Sequence, residues 1–541
     1  MSREKSCASG RVKWKESCMR YGNHRFLRTI PKPRIVAFIL ASVVLVVLAS
    51  PGSAAVRLPR IFGDHMVLQR EMPLAVWGWA DPGEKVAVDL GGQKAETAAD
   101  AAGRWKVALP PMKSGGPLKM TVSGKNRLVI EDILIGEVWL CSGQSNMEWI
   151  LKNTDNAEDA IRAADVPEMR LLTVERRASP QPLPDVKGAW AACTPETAGG
   201  FSAVGYYFGR KIYGELKVPI GLINSSWGGT LIECWTPAGG FELGAGLEKS
   251  IQQIQQADQD FRRLLPAALD DIENWTAATR KALKQGRPIP LLPEWPKHPI
   301  YSEGFPEKPT ALYNGMIHPL VPYPIRGALW YQGEANAISK DGMLYYEKMK
   351  ALIGGWRKAW GEGDFPFYFV EIAPLAAAYE GNDLPKLWDA QRASLSIPNT
   401  GMAVTTDIAN LKDIHPRNKL DVGNRLALWA LAKDYGRKDL VFSGPLYKSM
   451  EIKDGRAVIS FDHTGKGLIV SGGGDLSWWE IAGPDRIFKK AQARIDGDKV
   501  IVWSDAVPGP EAVRLGWHRD AQPNLINSAG LPASPFRTDD W

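Results

Sequence analysis

The spacing of hydrophobic and polar positions changes twice along the chain. From Leu58 to about Ile130, apolar and polar residues alternate in short runs such as Pro73–Trp79 and Lys85–Leu90. A period of two is that of a half-buried strand. The turn sequences Asp81-Pro82-Gly83, Gly91-Gly92 and Ser114-Gly115-Gly116 separate the runs, so the pattern predicts a small β-sandwich-like domain over 56–131. From about Asp132 to about Tyr435, solidly apolar runs alternate with helical spacing. Strands are expected at Ile133–Leu140, Val218–Asn224, Gly327–Tyr331, Pro366–Ile372 and Gly401–Thr405. Helices are expected at Ala203–Leu216 and Leu344–Ala359, and another after Asn418. Strand–helix alternation predicts an α/β domain over 132–436, built on a parallel sheet. Within it, Leu247, Ile251, Ile254, Phe261 and Leu265 fall near helical spacing, and a Pro-rich run follows over 287–309. Together these predict an insertion at about 240–310 that flanks a cleft. Beyond Val441 alternation returns, at Ala457–Phe461, Gly467–Val470, Lys499–Trp503 and Ala512–Leu515. The expectation is a C-terminal β domain over 437–541, with a Pro-rich tail able to drape back over the α/β part.

Residues 1–55 follow a different logic. A basic stretch precedes an apolar run, Ile35–Ala49, and small residues follow up to Ala54 and Ala55. That is the order of a cleavable secretory signal, with cleavage expected after Ala54 or Ala55. The run falls short of the roughly 20 residues a membrane span needs, so no stable membrane insertion is expected after cleavage. The expected location is periplasmic or secreted. The leader also explains the charge. The whole chain has 66 basic and 60 acidic residues, for a net of +6, but the leader holds ten basic and two acidic ones. The remainder carries 56 and 58, a net of −2, which gives no support for nucleic-acid binding. Three cysteines remain outside the leader, Cys141, Cys193 and Cys234. Cys193 and Cys234 could pair in an oxidising compartment, whereas Cys141 reads as a small apolar residue of a buried strand.

The chemistry is sought where strands end. The run Ile133–Leu140 stops at Cys141-Ser-Gly-Gln-Ser145-Asn-Met, ahead of a helix-compatible segment from Glu148. A serine there exposes its hydroxyl at the carboxyl edge of a sheet, and a helix N-terminus can stabilise developing negative charge. Alone, Ser145 is as well read as a helix cap. Three further loops change the balance. Ser226-Trp-Gly-Gly229-Thr230 carries adjacent glycines, which let backbone N–H groups approach a ligand. Tyr331-Gln332-Gly-Glu334 offers an amide at a strand end. Asp413-Ile-His415-Pro puts an imidazole and a carboxylate on one loop, as suits a general base. No HExxH, paired CxxC, Walker A or dinucleotide motif occurs, so no metal or cofactor is expected. The missing second glycine of G-x-S-x-G argues against a nucleophile elbow of the α/β-hydrolase type.

Taken together, Gly136-Glu-Val-Trp…Gly143-Gln-Ser-Asn-Met-Glu148, Ser226–Thr230, Trp330–Glu334, Asp413–Pro416 and Gly423-x-Arg425-Leu-Ala resemble the SGNH hydrolase superfamily. The closer resemblance is to the sialate O-acetylesterase family of carbohydrate acetylesterases. Phe62–Gln69 and Gly530–Asp539 extend it over nearly the whole mature chain. The resemblance implies a flavodoxin-like catalytic domain flanked by β-sandwich-like domains, with an O-acetylated sugar as substrate. It implies Ser145 as nucleophile and His415 as general base. The N–H groups of Ser145 and Gly229 and the Gln332 side chain would form the oxyanion hole. The superfamily often places its acid three residues before the histidine, and that position here is Lys412. Asp413 is the nearest carboxylate; Asp407 and Glu334 are alternatives, and a Ser–His dyad stays open. An esterase of acetylated xylan or xyloglucan would keep the same chemistry. A non-catalytic carbohydrate-binding protein would not need the four loops together.

Overall fold

The run expected over Ile133–Leu140 is part of a longer strand, β1, Arg127–Gly143. The computed structural model describes residues 55–300, 306 and 308–541. The expected leader therefore lies outside the described residues, except for Ala55. The first half of β1 is antiparallel to Gly115–Ser123 and also pairs with Val67–Gln69. Its second half runs through the middle of a parallel sheet. The boundary expected near residue 131 thus falls inside one continuous strand.

The remaining strands of the central sheet are β2 (Val166–Thr173), β3 (Trp190–Cys193), β4 (Ile220–Ser226), β5 (Gly327–Tyr331), β6 (Phe367–Val370) and β7 (Thr400–Ala403). Their order is β7-β6-β5-β1-β4-β2-β3. Neighbours are parallel except β2 and β3. The molecule is therefore mixed α/β with a mainly parallel central sheet. Strands β4, β5 and β6 are buried throughout, as solidly apolar runs in a covered parallel sheet should be. Strands β2 and β3 lie at one edge and were not expected. Pro167, Glu168 and Arg170 interrupt the apolar pattern of β2, and β3 is only 4 residues long.

From β1 the chain fills β2, β3 and β4 on one side of it and then crosses to β5 on the other, so β1 is where the winding reverses. In such sheets ligands bind beyond the carboxyl ends of the strands at that point. The register makes the ends flush, because Gly143 pairs with Ser226 of β4 and with Tyr331 of β5. Gly143 has φ +138°, and a Cβ there would lie 2.2 Å from the Tyr331 carbonyl oxygen. Only glycine fits so close an approach.

Six helices matter for the site: α1 (Ser145–Glu148), α2 (Ala203–Leu216), α3 (Glu248–Gln285), α4 (Glu334–Ile338), α5 (Leu344–Trp360) and α6 (Lys419–Lys433). Asn418 caps α6 by accepting from Asp421 N at 3.1 Å. Gly423 brings α6 against α2, since a Cβ there would be 2.8 Å from Phe208 N. The long α3 forms most of the expected insertion. With Tyr313, His298 and His318 it lines a cavity of about 540 Å³.

Beyond α6 the strands form separate antiparallel sheets around a second apolar core, which includes Ile459, Trp479, Val500, Leu515 and Phe536. The tail does return to the α/β part. Ser534 Oγ donates to Glu371 Oε1 at 2.7 Å, and Arg537 Nε bonds Asp389 Oδ2 at 3.2 Å. Glu137 of β1 ties the N-terminal β region to the α/β part. It is fully buried and accepts from Gln69 Nε2 (3.1 Å), Arg70 Nε (2.5 Å), Arg326 Nε (2.7 Å) and Tyr435 OH (3.1 Å). Burial alone would raise its pKa, but the Arg326 and Arg70 guanidiniums hold the carboxyl below the usual range.

The cysteine pairing is corrected. Cys193 is a free thiol and so is not bridged to Cys234; Cys141, Cys193 and Cys234 are all buried. Cys193 ends edge strand β3, whereas Cys234 lies in a turn beyond the glycine loop. Burial pushes the Cys193 thiol up to about 12 and Cys141 up as well, which leaves neither reactive.

Candidate active site

Ser145 begins α1, just beyond the flush ends of β1, β4 and β5. The helix was expected from Glu148; it starts three residues earlier and lasts only 4 residues. The cap position belongs to Gln144, which makes no side-chain cap bond, so Ser145 is not the cap. Ser145 is half-buried. Among the described residues its hydroxyl and its backbone N–H have no hydrogen-bond partner. Its neighbours are tightly held. Gln144 N donates to Tyr331 O at 3.0 Å and Trp227 N to Gly143 O at 3.1 Å. Gln144 Oε1 accepts from Gly333 N (3.4 Å) and Ala335 N (3.3 Å). A serine on so constrained a backbone needs no reorganisation to present its hydroxyl.

The glycine loop lies directly against it. A Cβ on Gly228 would lie 3.1 Å from Ser145 Cβ. The Gly228 N–H is occupied by Glu148 Oε2 at 2.9 Å, whereas the Gly229 N–H has no partner among the described residues. Gly229 is exposed, at φ +76°. Glu148 in turn accepts from Arg176 Nε at 2.7 Å, and the Arg176 guanidinium lies 5.5 Å from the Trp227 ring centre. The loop is thereby oriented with one N–H spent on structure and the next left open.

His415 stacks on Trp149, with ring centres 4.9 Å apart and planes 20° apart. Asp413 Oδ1 accepts from the His415 backbone N–H at 2.9 Å and lies 3.7 Å from Nδ1. The carboxylate is thus beside the ring but bonds the backbone. His415 is held below its usual pKa first by burial and then by the charge of Lys419, with Asp413 opposing both.

Three expectations change here. Gln332 is fully buried, and its amide hydrogens go to Thr230 O (3.1 Å) and Asn336 Oδ1 (2.6 Å), while Oε1 accepts from Tyr345 OH at 2.8 Å. It braces the glycine loop and has no amide hydrogen left for an oxyanion. Asp407 is engaged by Arg425 through two bonds of 2.7 and 2.6 Å, so it is not the partner of His415. Glu334 is buried and accepts from Asn146 Nδ2 at 2.5 Å; it too makes no bond to His415 among the described residues. Burial raises the Glu334 pKa despite the Asn146 bond and the charge of Lys419.

Two residues of the site had no role in the sequence reading. Asn146, buried, donates to both Glu334 and the Ile414 carbonyl, the latter at 3.0 Å, and its Oδ1 accepts from Lys419 Nζ at 2.5 Å. Lys419 is fully buried. The only signal in the sequence was position: Asn146 follows Ser145, and Lys419 opens the helix that follows the His415 loop.

Comparison with known proteins decides the family. The sialate O-acetylesterase of Rattus norvegicus is 32% identical over 460 residues, 78% of this chain and 81% of the relative. This chain belongs to the sialate O-acetylesterase family. The Homo sapiens enzyme is 34% identical over 455 residues, 76% of this chain and 78% of its own. The model of the family "carbohydrate esterase, sialic acid-specific acetylesterase" matches residues 294–431. That span holds Gln332, Glu334, Asp413, His415 and Lys419. A crystal structure of a carbohydrate acetylesterase from Xanthomonas citri is similar with a TM-score of 0.76 and 39% identity. The match covers 90% of this chain and all of that one. The family is one of esterases, so the chain is a sialate O-acetylesterase-like carbohydrate acetylesterase. The non-catalytic reading is set aside.

Proposed function

We propose that this esterase is exported and removes acetyl groups from O-acetylated sugars through an acyl-enzyme on Ser145. One observation carries the reading. The half-buried Ser145 shares the carboxyl edge of the sheet with two backbone N–H groups that have no partner among the described residues, its own and that of Gly229, while Asn146 ties the His415 loop to it.

In this mechanism His415 accepts the Ser145 proton as Oγ attacks the acetyl carbonyl. Charge develops on the carbonyl oxygen, and the Ser145 and Gly229 N–H groups donate to it. His415 then gives its proton to the departing sugar oxygen. Water, deprotonated by the same imidazole, releases acetate. Asp413 is the carboxylate nearest the ring and stabilises the imidazolium across 3.7 Å. Its bond to the backbone fixes the loop as well.

Export is supported by the order of basic, apolar and small residues in 1–55. Among the described residues no helix is long and apolar enough to cross a membrane. The mass of the mature N-terminus in an extracytoplasmic fraction tests this part: a start at Ala55 or Val56 is expected, and an intact leader contradicts it. The substrate is tested by acetate release from O-acetylated sialic acid against acetylated xylo-oligosaccharides. A higher kcat/KM on the sialic acid is expected; a preference for the xylo-oligosaccharide assigns the chain to plant polysaccharide.

A further inference from the structure

Among the described residues, Lys419 is the one fully buried ammonium in contact with the catalytic loops. Its Nζ donates to Asn146 Oδ1 at 2.5 Å, and Asn146 Nδ2 donates to Glu334 Oε1 at 2.5 Å. One amide therefore bridges a buried cation and a buried carboxyl. Nζ also lies 5.3 Å from the Tyr331 ring centre and 6.0 Å from that of Trp149, and Trp149 is the ring that stacks on His415. A buried lysine is costly unless it is paired. Fold stability alone is better served by an apolar residue at the start of a helix. The contacts of this lysine instead converge on the residues next to Ser145 and His415.

We propose that Lys419 is a positioning residue for the esterase reaction: bridged to Glu334 by Asn146, its ammonium keeps the His415 ring neutral and ready to accept the Ser145 proton. The inference rests on the Ser145–His415 reading. A cation near an imidazole disfavours the imidazolium. Without it, burial alone would oppose the Asp413 carboxylate on the same loop, which favours the protonated ring, and a protonated ring cannot act as a base. The charged and titratable groups involved are Asp413 beside the ring, Lys419 on α6 and Glu334 on α4. Asp155, Asp159 and Asp421 line a cavity that also borders Lys419. Burial, with the Lys419 charge next, holds His415 down. Burial also brings Lys419 itself down to about 7, with Glu334 and Asp413 opposing. Asn146 distributes the effect, since the amide that holds Lys419 also holds the Ile414 carbonyl.

The test is the pH dependence of kcat/KM for p-nitrophenyl acetate in wild type, Lys419→Met, Lys419→Gln, Lys419→Arg and Ser145→Ala. Glutamine keeps a donor for Asn146 Oδ1 but removes the charge; arginine keeps the charge. In both neutral variants the acid limb is expected to move to higher pH by about one unit, with kcat reduced more than KM changes. In Lys419→Arg the limb should stay near its wild-type position. Thermal melts and circular dichroism establish folding, so Lys419→Gln carries the test should Lys419→Met not fold. A folded neutral variant with an unmoved acid limb overturns the proposal. So does failure of both neutral variants to fold, which would assign Lys419 to stability. An active Ser145→Ala would instead overturn the reading on which the proposal rests.

Discussion

Asn146 Nδ2 donates to the carbonyl of Ile414 at 3.0 Å across 268 positions of sequence. The residue after the candidate nucleophile therefore holds the residue before the candidate base. The bond is part-buried, and the same buried side chain also binds Glu334 and Lys419. The spacing of Ser145 and His415 is thus set by a side chain that has no chemistry of its own.

Replacing that side chain should separate positioning from chemistry. Asn146→Ala leaves the Ile414 carbonyl, Glu334 and Lys419 short of partners, at about 1–3 kcal/mol per unsatisfied buried group. The expected result is a folded but less stable protein, with kcat/KM lowered roughly 100-fold, since a misplacement of about 1 Å can cost that much. Steady-state kinetics beside a denaturant melt check it. Unchanged kcat/KM would contradict the role given to Asn146.

Asp413→Asn tests the acid. Asp413 lies 3.7 Å from His415 Nδ1 and raises the His415 pKa against burial and Lys419. Removing its charge should move the acid limb of kcat/KM to lower pH, opposite in sign to the neutral Lys419 variants. It should lower the rate at neutral pH by about tenfold or more, as the imidazolium loses its counter-charge. A wild-type profile would leave a Ser–His dyad.

Much of this site could be read from the chain because its parts lie where apolar runs end. Ser145, Gly229 and His415 each follow such a run or precede a capped helix, and those signals are local. Asn146 and Lys419 could not be read, because their partners are 188 to 273 positions away and burial of a lysine has no mark in sequence. The partners of Gln332 were hidden for a related reason: a strand-end amide looks available until Thr230 and Asn336 are seen to occupy it. Asp407 was a candidate only while Arg425, 18 positions on, had no assigned partner. In the fold, β4, β5 and β6 were visible as unbroken apolar runs. Edge strands β2 and β3 were not, since Pro167, Glu168 and Arg170 break the pattern. The continuity of β1 through two regions was hidden by the charged pair Glu131–Asp132, which the strand accommodates with a positive φ at Asp132.

Gly143→Ala tests the close packing of the strand ends. The added Cβ would meet the Tyr331 carbonyl oxygen at 2.2 Å on a backbone at φ +138°. Either effect alone costs about 1 kcal/mol or more. The variant should be markedly destabilised in a thermal melt and lose esterase activity even where folded. Wild-type stability would show that β1, β4 and β5 do not end flush.

Glu137→Ala tests the scaffold apart from the chemistry. It strips Arg70 and Arg326 of a shared, fully buried carboxylate. Removing one partner of a buried ion pair costs about 3–5 kcal/mol. The expected outcome is a large fall in denaturation midpoint with an unmoved acid limb. A shift in the limb would mean that Glu137 acts on the site.

In the proposed mechanism Ser145 carries the acetyl group. Its most direct test is mass spectrometry of the protein quenched during turnover of an O-acetylated sugar, with Ser145→Ala beside it. Wild type should show an added acetyl group on the peptide containing Ser145. Ser145→Ala should show none, and its acetate release should fall by about 10³-fold or more. Acetate release at the wild-type rate by folded Ser145→Ala would rule out an acyl-enzyme on Ser145.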